Sequence, residues 1–379
     1  MRFLSVLSVL LFSFSAQASI IIPKAPDLDA SAYILVDATN GQVLVEHNAD
    51  KRLPPASLTK MLTSYIAIHE LELGHVEETT LVPISVKAWR MGGSKMFVRE
   101  GTEVPLIDLL RGIIVQSGND ASVAVAEYFS GAEEEFAVLM NGFAQRFGMN
   151  DSNFMNSTGW PADNHYSTAR DMANLAHHII NDHPTYYPLY AEKYYEYNGI
   201  RQPNRNRLLW RDPSVDGLKT GHTDEAGYGL VASAKRDETR FIAVVMGARS
   251  DESRARETQK LLAYGFRYFE SRQVYQASEV LKTARVWMGE EESVDLGLAK
   301  DLYLTLPRGS KNELKVSMRT DDTLKAPIKK GQALGTLTIT RDGELLTEQP
   351  LLAQSDIEEA GFFSRLIDKI KLFFIQLFA

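Results

Sequence analysis

A mixed α+β domain followed by a smaller all-β domain is the architecture this sequence predicts. Three observations lead there. Apolar β-branched runs stand at both ends of residues 31–271, with helical periodicity between them. After Arg272 the texture changes to short β-rich stretches separated by turn residues. The length of 379 residues suits two or three domains.

In order, residues 1–18 show Arg2, an apolar run and Ala16-Gln17-Ala18, the pattern of a secretory signal peptide cut after Ala18. The run is too short to span a bilayer comfortably, and the mature protein is expected to be periplasmic. Residues 31–37 and 43–45 read as a hairpin around the Asn40-Gly41 turn. A helix over 57–70 is apolar nearly all round, so it belongs in the interior. Further helices are expected over 103–116, 120–129, 133–147 and 168–180, the last capped by Ser167 or Thr168. Residues 227–234 and 241–247 read as paired antiparallel strands, and 253–271 as a closing helix. This domain is placed at 24–274.

Residues 275–356 form the second domain, a small β-sandwich with strands over 285–288, 302–306, 314–318, 335–340 and 345–352. Residues 360–379 repeat Phe362, Phe363, Leu366, Ile367, Ile370, Phe373, Phe374 and Leu377 at intervals of three and four. Arg365, Asp368, Lys369 and Lys371 lie mainly opposite. Such a helix lies on the surface of a membrane, and its four charges oppose a span.

Net charge is −8, which disfavours nucleic acid as a partner. With no cysteine there is no disulfide, thiolate site or cysteine nucleophile. No metal-ligand spacing and no phosphate-cradling glycine loop occurs, so no cofactor is expected.

Chemistry is carried by three short motifs in order: Ser57-Leu58-Thr59-Lys60, Ser117-Gly118-Asn119 and Lys219-Thr220-Gly221. On a helix, Ser57 and Lys60 share a face. Serine needs a base to become a nucleophile. Lysine serves only if burial or a neighbouring cation lowers its pKa, and Lys219 is the expected cation. Ser117 and Asn119 sit at a turn between helices, one suited to relay a proton, the other to donate an amide hydrogen bond. A backbone N–H at the helix start and a second near His222 would stabilise an oxyanion. Gly221 would let a ligand backbone lie against a strand edge. Acyl transfer through a serine ester, outside the cytoplasm, follows.

At these motifs, and at PASLTKMLTSY, QSGNDA, NGIRQPNRN, DGLKTGHTDEAGYGLVASA and LPRG, the sequence resembles the D-alanyl-D-alanine carboxypeptidases, the low-molecular-weight penicillin-binding proteins. The resemblance covers the whole chain. It implies the penicillin-recognising serine enzyme fold (β-lactamase/transpeptidase-like). It implies release of terminal D-alanine from peptidoglycan stem pentapeptides, and covalent inhibition by β-lactams. Carried over, Ser57 is the acyl-ester nucleophile, Lys60 its base, and Ser117 and Asn119 the second motif. Lys219 and Thr220 bind the substrate carboxylate, with Arg254 assisting from the closing helix. Arg205, His222 and, through a loop, Asp182 are further candidates. The second motif is S-G-N rather than S-D-N, and no equivalent of the deacylating glutamate of class A β-lactamases stands out. Strong β-lactamase activity is therefore disfavoured. An endopeptidase, a weak β-lactamase or a non-catalytic wall scaffold are the alternatives.

Overall fold

The structure, a computed structural model, describes residues 22–277, 279–310 and 314–378. The expected signal peptide lies outside them. The first domain is built on a five-stranded antiparallel sheet. Its order is Val43–His47, Ala32–Asp37, Thr239–Ala248, Gly227–Arg236, Val215–Thr223. Both ends of the domain's sequence meet in this sheet, because Ala32–Asp37 pairs with Thr239–Ala248. The third motif lies within Val215–Thr223, which is an edge strand.

One sheet face packs against the Asp251–Tyr268 helix through Leu35, Phe241, Ala243, Leu261 and Phe266. The other face packs against the helical layer. At its centre runs the Lys60–Glu72 helix, with Met61, Leu62, Ile66 and Ile68 fully inside. The expected start at residue 57 is a separate 3₁₀ turn, Ala56–Thr59. The run over 103–116 splits into a strand, Glu103–Pro105, and a helix, Leu106–Val115. Pro105 explains the split: it holds the residue before it extended and suits a helix start. Asn119–Ser130, Glu133–Arg146 and Ala169–Asp182 complete the layer. Thr168 caps the last, accepting the Asp171 N–H at 3.0 Å.

The closing helix ends at Tyr268, short of the expected 271. Phe269–Tyr275 is instead a strand paired with Leu302–Pro307. The chain thus enters the second domain's sheets ahead of the expected border at 275. A six-stranded sheet and this two-stranded one enclose a core that includes Val294, Leu296, Leu304, Leu337 and Leu351. The domains touch where Asn40 Nδ2 donates to Tyr303 O (3.2 Å) and Thr305 Oγ1 (3.0 Å). Buried Asp37 accepts from Thr305 Oγ1 at 2.8 Å and from Ser271.

The helix Phe362–Phe378 follows. Leu372 is buried, and Asp368 Oδ2 accepts the Met288 N–H at 2.8 Å. Phe362, Phe363, Leu366, Ile367, Ile370, Phe373, Phe374 and Ile375 are exposed. The side chain of Leu377 lies outside the described residues. Among the described residues no helix is long and apolar enough to cross a membrane.

Candidate active site

Ser57 and Lys60 are presented by the 3₁₀ turn that leads into the buried helix. In a 3₁₀ turn residues i and i+3 eclipse, and Lys60 Nζ donates to Ser57 Oγ at 3.0 Å. The turn opens on Ala56, which holds φ +48°, a strained value for a residue with a Cβ. Lys60 is fully buried and also donates to Thr158 O at 2.5 Å. Burial first, and the Arg205 guanidinium second, pull the Lys60 ammonium down to about 7, against the opposing pull of Asp120 and Glu133. A large fraction of Lys60 is therefore an unprotonated amine at neutral pH, able to accept a proton from the serine.

The second motif turns through Ser117, at φ +61°, into the Asn119–Ser130 helix. Asn119 Nδ2 donates to Gly92 O at 2.8 Å, and its backbone N–H to Ser94 O at 2.7 Å. Asp120, wholly buried, accepts the N–H groups of Met96 (3.0 Å), Phe97 (2.8 Å) and Val98 (3.2 Å). These bonds fasten the 92–98 loop to the motif. Ser117 Oγ accepts from Lys219 Nζ at 2.9 Å, and Lys219 also donates to Thr220 O at 3.0 Å.

A cleft of about 1180 Å³ runs along the edge strand, walled by Ser57, Ser117, Asn119, Thr220, His222 and Arg205, among others. The three motifs converge on it, with two departures from expectation. Lys219 is not in its wall: the side chain is 2% exposed and sits behind Ser117. Burial first, then Lys60, Arg205 and Arg254, hold its pKa well below the usual lysine range. Nor is Lys219 the leading cause of the Lys60 depression: burial is, with the Arg205 guanidinium next, and the mutual repulsion of the two amines bears on Lys219 as well.

The remaining candidates separate. Arg205 is exposed in the cleft wall and has no hydrogen-bond or ion-pair partner among the described residues. Arg254 is 6% exposed; it donates to Gly221 O at 3.1 Å and pairs with Asp251, so it braces the strand. His222 is exposed in the wall, its ring 3.9 Å from that of Tyr228. Gly221 lines the cleft, but a Cβ there would also meet Pro55 O at 2.9 Å and Leu58 N at 3.2 Å. Its smallness therefore lets the strand approach the serine turn, a reason other than ligand access. Asp182 ends its helix rather than lying in a loop. It accepts from Tyr65 Oη at 2.8 Å and contacts His178 Nδ1 at 2.8 Å, and is not part of the cleft wall.

Some contributors were not read from the sequence. Asn156 Oδ1 accepts the N–H groups of Thr158, Gly159 and Trp160, at 3.2, 2.8 and 3.1 Å, and so aims Thr158 O at Lys60. An asparagine two residues before Thr158-Gly159 was a turn signal available in the sequence. Trp160 lines the cleft, 47% exposed. The hold of the Asp120 carboxylate on the 92–98 loop had no such signal, because those partners are backbone groups more than 20 residues away.

Residues 20–250 match the D-alanyl-D-alanine carboxypeptidase family model, and residues 269–359 match the C-terminal domain of penicillin-binding protein 5. The chain belongs to the D-alanyl-D-alanine carboxypeptidase family of serine peptidases. It is 44% identical to the D-alanyl-D-alanine carboxypeptidase DacA of Escherichia coli K12, over 93% of this chain and 90% of that protein. With DacC of the same organism it shares 42%, over 97% and 93%. The crystal structure of penicillin-binding protein 5 from Haemophilus influenzae matches with a TM-score of 0.86 at 42% identity, covering 89% of this chain and 100% of that one. The expected penicillin-recognising fold, followed by a β-sheet domain, agrees with these matches.

Proposed function

We propose that Ser57 is the nucleophile that releases D-alanine from peptidoglycan stem pentapeptides, with Lys60 as its base. The observation that carries this is the buried Lys60 Nζ at 3.0 Å from Ser57 Oγ, with its pKa brought down to about 7. Ser57 Oγ attacks the carbonyl of the penultimate D-alanine while its proton passes to Lys60. Backbone N–H groups at Ser57 and His222 stabilise the oxyanion. The C–N bond then breaks, and the leaving amine takes the proton that Lys60 holds, relayed through Ser117, which Lys219 holds in place, so that Lys60 is again a free amine. Asn119 donates its amide to the acyl chain. Water hydrolyses the ester, Lys60 takes the water's proton, and Ser57 is restored. β-Lactams acylate the same serine.

The leaving D-alanine ends in a carboxylate. Thr220 and the unpaired Arg205 line the cleft where it lies, and Lys219 acts from behind Ser117. Capping that carboxylate as an amide, so that D-alaninamide is the leaving group, is expected to lower kcat/KM for cleavage by about ten- to a hundredfold, the worth of a charged hydrogen bond. Arg205→Gln should shrink the acid-to-amide ratio. Equal turnover of both peptides would refute this assignment, and no cleavage of the terminal residue from either would refute the reading as a whole.

We also place the mature protein in the periplasm, held peripherally on the outer face of the inner membrane by residues 360–379. The exposed apolar side chains from Phe362 to Ile375 support this. Deleting residues 360–379 is expected to move the protein from the membrane pellet to the soluble fraction with its activity on soluble peptide intact. Continued sedimentation with membranes would refute the anchor.

A further inference from the structure

A second groove, of about 400 Å³, lies beside the catalytic cleft and shares Thr158 and Trp160 with it. The indole of Trp160 is the partition. It rests on a shelf of two glycines: a Cβ on Gly92 would lie 3.3 Å from Trp160 Cη2, and one on Gly93 3.3 Å from Trp160 Cζ3. Beyond the ring the groove is lined by Lys87, Arg90, Met91, Glu133 and Asn156.

Its charges are unequally used. Lys87 is paired with Glu133 at 3.2 Å and Glu134 at 3.1 Å, and Glu133 also accepts from Ser157 N and Oγ. Arg90 has no carboxylate or hydrogen-bond partner among the described residues; its guanidinium stands 6.0 Å from the Trp89 ring. The groove therefore offers one uncommitted guanidinium beside an exposed aromatic wall.

Direction follows from the edge strand. The leaving carboxylate is assigned to the Thr220 end. Three residues along, Thr223 shares a small cavity with Trp160. Three residues of strand cover roughly 10 Å. An extended acyl donor running along this strand from Thr220 thus reaches Trp160 about two to three residues before the scissile bond.

We propose that the groove beyond Trp160 is a subsite for the acyl-donor peptide, and that Arg90 there takes a carboxylate borne two to three residues upstream of the bond that is cut. The proposal rests on the Ser57 reading above, from which the direction of the substrate is taken. It makes Arg90 and Trp160 determinants of specificity.

The test uses the full protein and two peptides ending in D-alanyl-D-alanine. They differ only in a carboxylate or carboxamide on the upstream residue. The wild type is expected to favour the acid about fivefold in kcat/KM, mainly through KM, as suits an exposed ion pair. Arg90→Gln should bring the ratio near one with kcat on the amide peptide unchanged, and Trp160→Ala should raise KM for both. A wild-type ratio of one, or a ratio that Arg90→Gln leaves unaltered, overturns the subsite. Calorimetric titration with the acyl-donor fragment alone, as acid and as amide, reads the groove without turnover. Tighter binding of the acid, lost in Arg90→Gln, supports the subsite even if D-alanine release fails. Equal binding overturns it.

Discussion

Ser57→Ala is expected to yield a folded protein that releases no D-alanine above background and takes no covalent label from a fluorescent penicillin. Lys60→Met should keep the serine but lower the acylation rate by about 10³-fold, within the range for loss of a general base. The two variants separate nucleophile from base. A labelled Ser57→Ala protein would refute the nucleophile, and near-normal acylation of Lys60→Met would refute the base.

The pH dependence follows from the same geometry. Lys60 in the folded protein titrates near 7 against an ordinary value of 10.5. Below pH 7 it is protonated and cannot accept the serine proton, so kcat/KM should rise as pH climbs through about 7. Arg205 is the second cause of the depression, so Arg205→Gln should move this midpoint upward. Measuring with the amidated peptide removes Arg205's contact with the leaving carboxylate from the comparison. An unmoved midpoint would leave burial and the neighbouring Lys219 amine as the causes. Stability has its own sign. Between pH 7 and 10.5 the unfolded chain holds a proton that the folded one lacks, so unfolding takes up a proton and stability rises with pH. Keeping the amine neutral at pH 7 costs on the order of 4–5 kcal/mol. Lys60→Met should thus unfold at no lower a temperature than the wild type, and with a smaller rise, since Lys219, also held below its ordinary value, keeps its own part.

How much of this was legible in the sequence depended on where each interaction's partners lie. Ser57 and Lys60 are three residues apart, so helical geometry alone brings them together. That Lys60 is buried deeply enough to titrate near 7 came from helices and a loop that pack around it from distant parts of the chain. For the same reason, the cations around it could not be read from the motifs alone: Lys219 was the natural choice and does repel the Lys60 amine, and Arg205 adds a second charge. Asn40-Gly41 signalled a turn, and Gly41 holds φ +73°. The reach of Asn40 to Tyr303 and Thr305 in the second domain had no local signature. Pro105 shows the converse: a helical pattern over 103–116 gave way to a proline's local rule.

Gly159 is where the backbone itself becomes part of the site. It holds φ +78°, and a Cβ there would lie 1.7 Å from Ala56 O, 2.3 Å from Ala56 C and 2.9 Å from Thr59 Oγ1. The Ala56 atoms are backbone, in the strained residue before Ser57, and have no rotamer by which to yield. Gly159→Ala should therefore cost about 1–2 kcal/mol for the left-handed conformation and about 1–3 kcal/mol more for overpacking. The displacement falls on both sides of the chemistry: Ser57 follows Ala56, and Thr158 O, which orients Lys60, precedes Gly159. A misplacement of about 1 Å can lower a rate by about 10², so acylation should fall by at least that factor in the fraction that remains folded. Gly148→Ala is the control. Gly148 also has positive φ, +67°, but no atom within 4 Å of its would-be Cβ. It should lose only the conformational part and acylate at the wild-type rate. Denaturant unfolding and the rate of fluorescent-penicillin labelling, measured on both variants, decide the matter. If the two prove alike in stability and rate, the contact between the Thr158-Gly159 turn and Ala56 is not what holds Ser57 and Lys60 in register.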